Sequence, residues 1–377
     1  MRGTARERQG ERRWRRVALG VALVAAAACA GGERAAGPSP TPPAAPAAAY
    51  YFPGAGAWET VAPAAIGWDA AALDSAVAYA GARNTTALVV LHRGRIVAER
   101  YWDGWTAARA GQIASAGKSV AAALAGTLVA QGRLRPDDRV SDVLGAGWSR
   151  AGAAAERAVT VRHLLSMTSG LDDSLRAVAP AGTRFYYNNS AYFTLFAVLE
   201  RAAGRPMAAL MRDALAAPIG LGPFTEWRPA VEADGTPGYR LWMTARDMAR
   251  FGSLVAAGGR WAGAPVLADS AFTAAMLAPQ GADNAAYGYL WWLNGQLTYR
   301  LPGPMAQPTS AGPLIPSAPP DLVSALGRGD KKIYVSRALG VVVVRHGPDA
   351  GDDGVTLLGP SSFDEALWRR LRAAMRY

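Results

Sequence analysis

The sequence predicts an α/β (α+β) fold: an antiparallel sheet built from both chain ends and flanked by helices, with a mainly helical lobe inserted between them. Three observations predict it. Two β-rich runs, 86–92 and 95–102, lie early in the chain and are joined by Arg93-Gly94, a hairpin signal. Two more, 332–336 and 340–345, lie near its end. Between them, from Ser115 to about Met276, the apolar pattern has mostly helical spacing. A cleft between two such lobes is where a site is expected.

Taken in order, the chain opens on a basic head, with seven arginines and two glutamates in residues 1–16. The apolar stretch Val17 to Ala28 follows, then Cys29 and Ala30-Gly31-Gly32. A basic head, a short apolar body and small residues at its end make a secretory signal, and the body is too short to span a bilayer, which needs about 20 residues. Cys29 is the only cysteine and stands where a lipoprotein signal places its lipidated residue. Residues 1–29 therefore read as a signal peptide with a lipobox-like end, and the protein as exported and lipid-anchored in the cell envelope; plain cleavage after Ala30 is the alternative. Residues 30–57, rich in Pro, Ala and Gly, read as a tether. The folded part is expected from Trp58, with a helix over 70–79 capped by Asp69.

Helices are expected over 115–131, 160–167, 190–203, 205–216, 244–257 and 269–277, the inserted lobe running over about 115–280. Tyr287 to Leu293 has strand character, and 363–375 reads as a final amphipathic helix. The formal charge of +11 is uneven, since the head holds 7 − 2 = +5 of it. The rest has no Lys/Arg run and no alternation of aromatic and basic residues, which speaks against a nucleic-acid partner. Neither His-Glu-x-x-His nor another paired-histidine spacing occurs, so no metal or other cofactor is called for. Gly-x-Ser-x-Gly is absent as well, which disfavours a Ser-His-Asp hydrolase. His92, His163 and His346 read as packing or surface residues, and Asp172-Asp173 and Asp352-Asp353 as solvated turns.

The chemistry gathers at Ser115-Ala116-Gly117-Lys118. Helical residues three apart lie about 5–6 Å from one another at Cβ, so Lys118 can reach the Ser115 hydroxyl. Of 40 Lys plus Arg only three are lysines: Lys118, Lys331 and Lys332. A chain so biased towards arginine needs lysine only where a cation must shed its proton, which a desolvated lysine does and arginine does not. A second patch, Tyr187-Asn188-Asn189, sets a phenol beside an amide that can hold both a lysine and a substrate. A tyrosine near a cation is expected to have a lowered pKa and to shuttle protons. An ordinary helix cap by Asn188 or Ser190 is the plainer alternative. The third patch, Gly327-Arg328-Gly329, precedes a strand. It offers either a sheet-edge N–H for an oxyanion hole or simply a glycine-rich loop. Trp102, Trp227, Trp242, Trp291 and Trp292 hint at an apolar acyl pocket.

With these motifs in place, the chain resembles the class C β-lactamase and penicillin-binding-protein-like serine hydrolases over roughly residues 58–375. The likeness rests on Ser115-x-x-Lys118, Tyr187-x-Asn189, Val159 to Leu171, Met243 to Gly252 and Tyr287 to Trp292. It implies an acyl-enzyme on Ser115, with Lys118 and Tyr187 moving protons and Asn189 orienting lysine and substrate. The family's usual Lys/His-Thr/Ser-Gly is absent. Residues 327–331 are instead similar to the Gly-x-x-Gly-Gln variant of its esterase and 6-aminohexanoate-dimer-hydrolase branch, which implies the backbone of Arg328 as second oxyanion donor. The expected partner is a small-molecule or peptide ester or amide. A penicillin-binding or sensor module that acylates without turnover is the alternative.

Overall fold

The computed structural model describes residues 49–54, 56–306, 308–351 and 359–377. The signal, Cys29, most of the tether and Asp352-Asp353 lie outside them. In chain order, the elements that position the site are α1 (Ala70–Gly81), β1 (Ala87–His92), β2 (Arg95–Tyr101), β3 (Ala110–Gln112) and α2 (Gly117–Ala130). They continue with α3 (Asn189–Ala203), β4 (Glu226–Val231), β5 (Pro237–Thr244) and α4 (Ala245–Ala256). The last are β6 (Trp292–Leu293), β7 (Val323–Gly327), β8 (Lys331–Ser336), β9 (Val341–His346) and α5 (Ser362–Met375).

The sheet joins both ends of the chain in the order β2-β1-β9-β8-β7-β6, all neighbours antiparallel. Its central strands are β1, Ala-Leu-Val-Val-Leu-His, and β9, Val-Val-Val-Val-Arg-His. They run as continuous apolar stretches because both faces are covered. Along β8 the side chains alternate. Lys332 and Tyr334 face α5, with the Tyr334 ring 5.6 Å from Trp368, while Ile333 and Val335 face α4. The approach of α4 is so close that a Cβ on Gly252 would stand 2.5 Å from Val342. Helix α1 packs beside α5, with Tyr79 and Phe363 stacked at 5.7 Å. The β1–β2 hairpin turns on Arg93 and Gly94, both at positive φ, as a two-residue turn of the primed kind demands.

Four expectations are corrected. The folded unit begins ahead of Trp58: Tyr51 donates its N–H to the Arg93 carbonyl, and the Phe52 ring lies 5.0 Å from Trp261, so the end of the expected tether packs on the domain. Helix α4 lies on the sheet rather than in the inserted lobe. That lobe also holds a small sheet, β3-β5-β4, within the stretch expected to be helical. Its signal is weak because β4 carries Pro229 and two charged residues. Finally, the run Tyr287 to Leu293 is a strand only at Trp292–Leu293, because Leu290 turns at φ +59 and Tyr287 bridges back to Trp292. That turn presents the Leu290 carbonyl to the Ser119 hydroxyl at 2.6 Å.

Candidate active site

Ser115 sits between β3 and α2 in a single 3-10 turn, Ala114–Ala116. The residue before it, Ala114, is held at φ +49, a costly conformation for a residue with a Cβ. Helix α2 is buried all round from Gly117 to Leu128, which explains its unbroken run of small and apolar residues. It is a rigid base for Lys118, whose side chain is 4% exposed. The lysine Nζ lies 3.0 Å from Ser115 Oγ and 2.9 Å from Asn189 Oδ1. The rings of Tyr192 and Tyr187 have their centroids 4.4 and 4.9 Å from it.

The Tyr187-Asn188-Asn189 segment is fixed from both sides. Asn188 is the N-cap of α3, accepting from the Ala191 N–H, as the plainer reading of that patch expected. Its amide also donates to the carbonyls of Leu171 and Asp172, each at 2.8 Å. Asp172-Asp173 is thus more than a solvated turn: Asp173 accepts from the Tyr186 hydroxyl and from Ser190 Oγ. The Tyr187 ring stacks on Trp292 with centroids 6.1 Å apart and 15° between planes.

Burial dominates the electrostatics. It pulls the Lys118 ammonium down to about 7, with Glu232 opposing and Arg240 adding to the shift. For Tyr187 the expectation of a lowered pKa is overturned. Burial raises its phenol well above the ordinary value, and the hydrogen bond with Ser115 offsets only part of this. The neighbouring cation that would lower it is a lysine close to neutrality. Near neutral pH the site therefore holds an amine able to accept a proton and a phenol that keeps its own.

Ser115 and Lys118 open onto a cavity of about 380 Å³, walled also by Gln112, Phe193, Trp227, Glu232, Arg240 and Arg328. Glu232 accepts from Arg240 Nη2 at 2.9 Å. Opposite Ser115 runs the end of β7, at the patch that sequence reading left open between a sheet edge and a glycine-rich loop. The short β6 pairs with Val323 and Ser324, leaving Ala325 to Gly327 without a strand partner on that side among the described residues. Gly327 instead lies against the serine turn, where an added Cβ would meet the Ile113 carbonyl at 2.3 Å. The β7–β8 turn is held from beneath. Asp330, at φ +55, accepts from the Ala350 N–H and from Ser361 Oγ. Lys332 is wholly buried between Asp330 at 3.0 Å and Asp364 at 2.9 Å.

The structure thus brings Ser115, Lys118, Asn189 and Arg328 to one cavity, with Tyr187 hydrogen-bonded to Ser115 and Gly327 packed against the serine turn; Gly329, at φ +72, shapes the turn behind it. Sequence reading missed Tyr192, though its i+3 spacing from Asn189 puts both on one helix face. It also missed Glu232 and Arg240, which sit just after β4 and within β5. Among the described residues no group of His, Cys, Asp and Glu is arranged to hold a metal, and no helix is long and apolar enough to cross a membrane.

The fold, a sheet of both chain ends beside a helical lobe with a serine and a lysine between them, is that of the β-lactamase and penicillin-binding-protein-like serine hydrolases. The β-lactamase family model matches residues 70–346, and the chain belongs to that family. Penicillin-binding protein 4 of Amycolatopsis lactamdurans is 34% identical over 153 residues; the match spans 35% of this chain and only 38% of that protein. A protein of Bacteroides dorei assigned as a β-lactamase superposes with a TM-score of 0.65 at 22% identity, over 82% of this chain and all of its own. EstCE1, a hydrolase with promiscuous acyltransferase activity, superposes with a TM-score of 0.55 at 17% identity, over 81% of this chain and 98% of its own.

Proposed function

We propose that this chain is a serine hydrolase that cleaves carboxylic esters or amides through an acyl-enzyme on Ser115. The observation that carries the reading is Lys118, buried, drawn down to about 7 and in hydrogen-bond contact with both Ser115 and Asn189. Asn189 Oδ1 accepts one N–H of the neutral amine, which leaves the lone pair free to take the Ser115 proton. The oxygen then adds to the substrate carbonyl, and the backbone N–H groups of Ser115 and Arg328 receive the oxyanion. The Tyr187 phenol hands its proton to the leaving group and recovers one from protonated Lys118. Water, deprotonated by the same amine, releases the acid and restores the serine. The likeness to EstCE1, a hydrolase with acyltransferase activity, supports acyl transfer through the serine, and that to penicillin-binding protein 4 supports a penicillin-like amide as an acylating ligand.

The sequence at the N-terminus supports export, with lipid anchoring through Cys29. A Cys29→Ser chain found still in the membrane fraction would count against anchoring.

The test uses p-nitrophenyl acetate and a fluorophosphonate probe on protein lacking residues 1–30. Wild type is expected to label at Ser115 and turn over, with kcat/KM rising through about pH 7 as Lys118 loses its proton. Ser115→Ala and Lys118→Arg should each lower the rate by roughly 10³-fold or more, since such groups act as a unit. Near-wild-type turnover in Lys118→Arg would overturn the proton-transfer argument, and labelling without product release would make this a non-turnover sensor instead.

A further inference from the structure

The Ser115 cavity is bounded on the β4 side by Trp227, and that residue is shared. It also lines a second cavity of about 410 Å³, whose wall is largely apolar: Ala208, Met211, Ala216, Ala217, Leu221 and Pro223 among others. The indole is 5% exposed and close to the nucleophile. A Cβ on Gly117, two residues after Ser115, would lie 3.3 Å from its Cη2. Phe196 meets it edge-on at 5.1 Å.

One detail sets the second cavity apart from ordinary core. It is bordered by a π-helical turn, Arg212–Ala216, a rare geometry frequently found at functional sites.

Resting on the hydrolase reading above, we propose that Trp227 sets the acyl-chain limit: it separates the Ser115 cavity, whose wall is largely polar, from the apolar cavity it also lines, which is the space a longer aliphatic tail would occupy. The expected preference is for small acyl groups such as acetyl, with the aromatic wall of Phe193 and Trp227 against the acyl end. Removing the indole joins the two cavities and gives each further methylene apolar surface to bury. One buried methylene corresponds to about fourfold in binding. Three or four of them therefore shift the octanoyl-to-acetyl ratio by roughly 10²-fold.

The experiment measures kcat/KM for p-nitrophenyl esters from acetyl to dodecanoyl, and the rate of Ser115 labelling by fluorophosphonates of matching alkyl length, read by mass. Wild type should decline with chain length, Trp227→Ala should gain roughly 10²-fold for octanoyl relative to acetyl, and Trp227→Ala with Ala217→Trp should lose that gain. If Trp227→Ala does not fold, Trp227→Leu gives the same comparison with a smaller shift. An unchanged profile in the opened variant, or a gain that survives Ala217→Trp, overturns the inference while leaving the hydrolase reading intact. Failure of wild type to label or to cleave even the acetyl ester would overturn that reading itself.

Discussion

Gly327→Ala tests whether the end of β7 serves the reaction. The added Cβ would stand 2.3 Å from the Ile113 carbonyl and 3.1 Å from the Ala116 N–H, both backbone atoms of the serine turn. Ordinary contact begins at 3.4 Å, so strand and turn must separate by about 3.4 − 2.3 = 1.1 Å. No flexible side chain can absorb this. If an oxyanion is held between the N–H groups of the two segments, a displacement of about 1 Å should cost roughly 10²-fold in acylation. That loss corresponds to about 2.7 kcal/mol of transition-state stabilisation. The assay is the rate of fluorophosphonate labelling together with kcat/KM on p-nitrophenyl acetate, with a thermal melt to show that the sheet is intact. A folded variant that labels at the wild-type rate would refute the placing of an oxyanion hole between Ser115 and Arg328.

Two further predictions concern stability. Lys332→Met leaves Asp330 and Asp364 buried without their cation, and urea unfolding should show a loss of about 3–5 kcal/mol; a change under about 1 kcal/mol would show the trio to be dispensable. His346 is 3% exposed, its ring tilted against Trp105 with centroids 4.5 Å apart and flanked by Lys331 and Arg345, and burial draws its imidazolium down to about 4. Because the unfolded chain then binds the proton more tightly, this residue's share of stability is complete above about pH 6.5 and is lost as pH falls towards 4. That share is about 3 kcal/mol, and His346→Phe should flatten the acid limb of stability against pH by a similar amount. An unaltered limb would refute the assignment.

What could be read from the sequence follows from how local each feature is. The outer hairpins, the buried α2 and the Ser115–Lys118 pair are set by patterns within a few residues, and the structure keeps them. The scarcity of lysine pointed to Lys118, and the same scarcity marks Lys332, whose partners lie at 330 and 364 and so could not be paired by eye. The sign of the Tyr187 shift was misread because spacing tells which groups are near but not how dry they are. Glu232 and Arg240 were missed, and the β7 edge was left open between strand and loop, for a related reason. Their strands are defined by partners up to 130 residues away, Gln112 against Trp242 and Ser324 against Trp292 among them, and the strand sequences carry proline, glycine and charge.

The sheet's strand order has a consequence for how the molecule comes into being. Strand β1 finds its inner neighbour only in β9, and Asp69 at the head of α1 donates its N–H to Ala374 almost at the other terminus. Every residue proposed for the reaction has been synthesised by position 329, yet the platform that holds β7 against the serine turn waits for β9 and α5. A nascent chain stopped before residue 341 would carry the whole active-site vocabulary and no scaffold to speak it. Activity should then arise all at once, with the last few dozen residues, rather than growing with chain length.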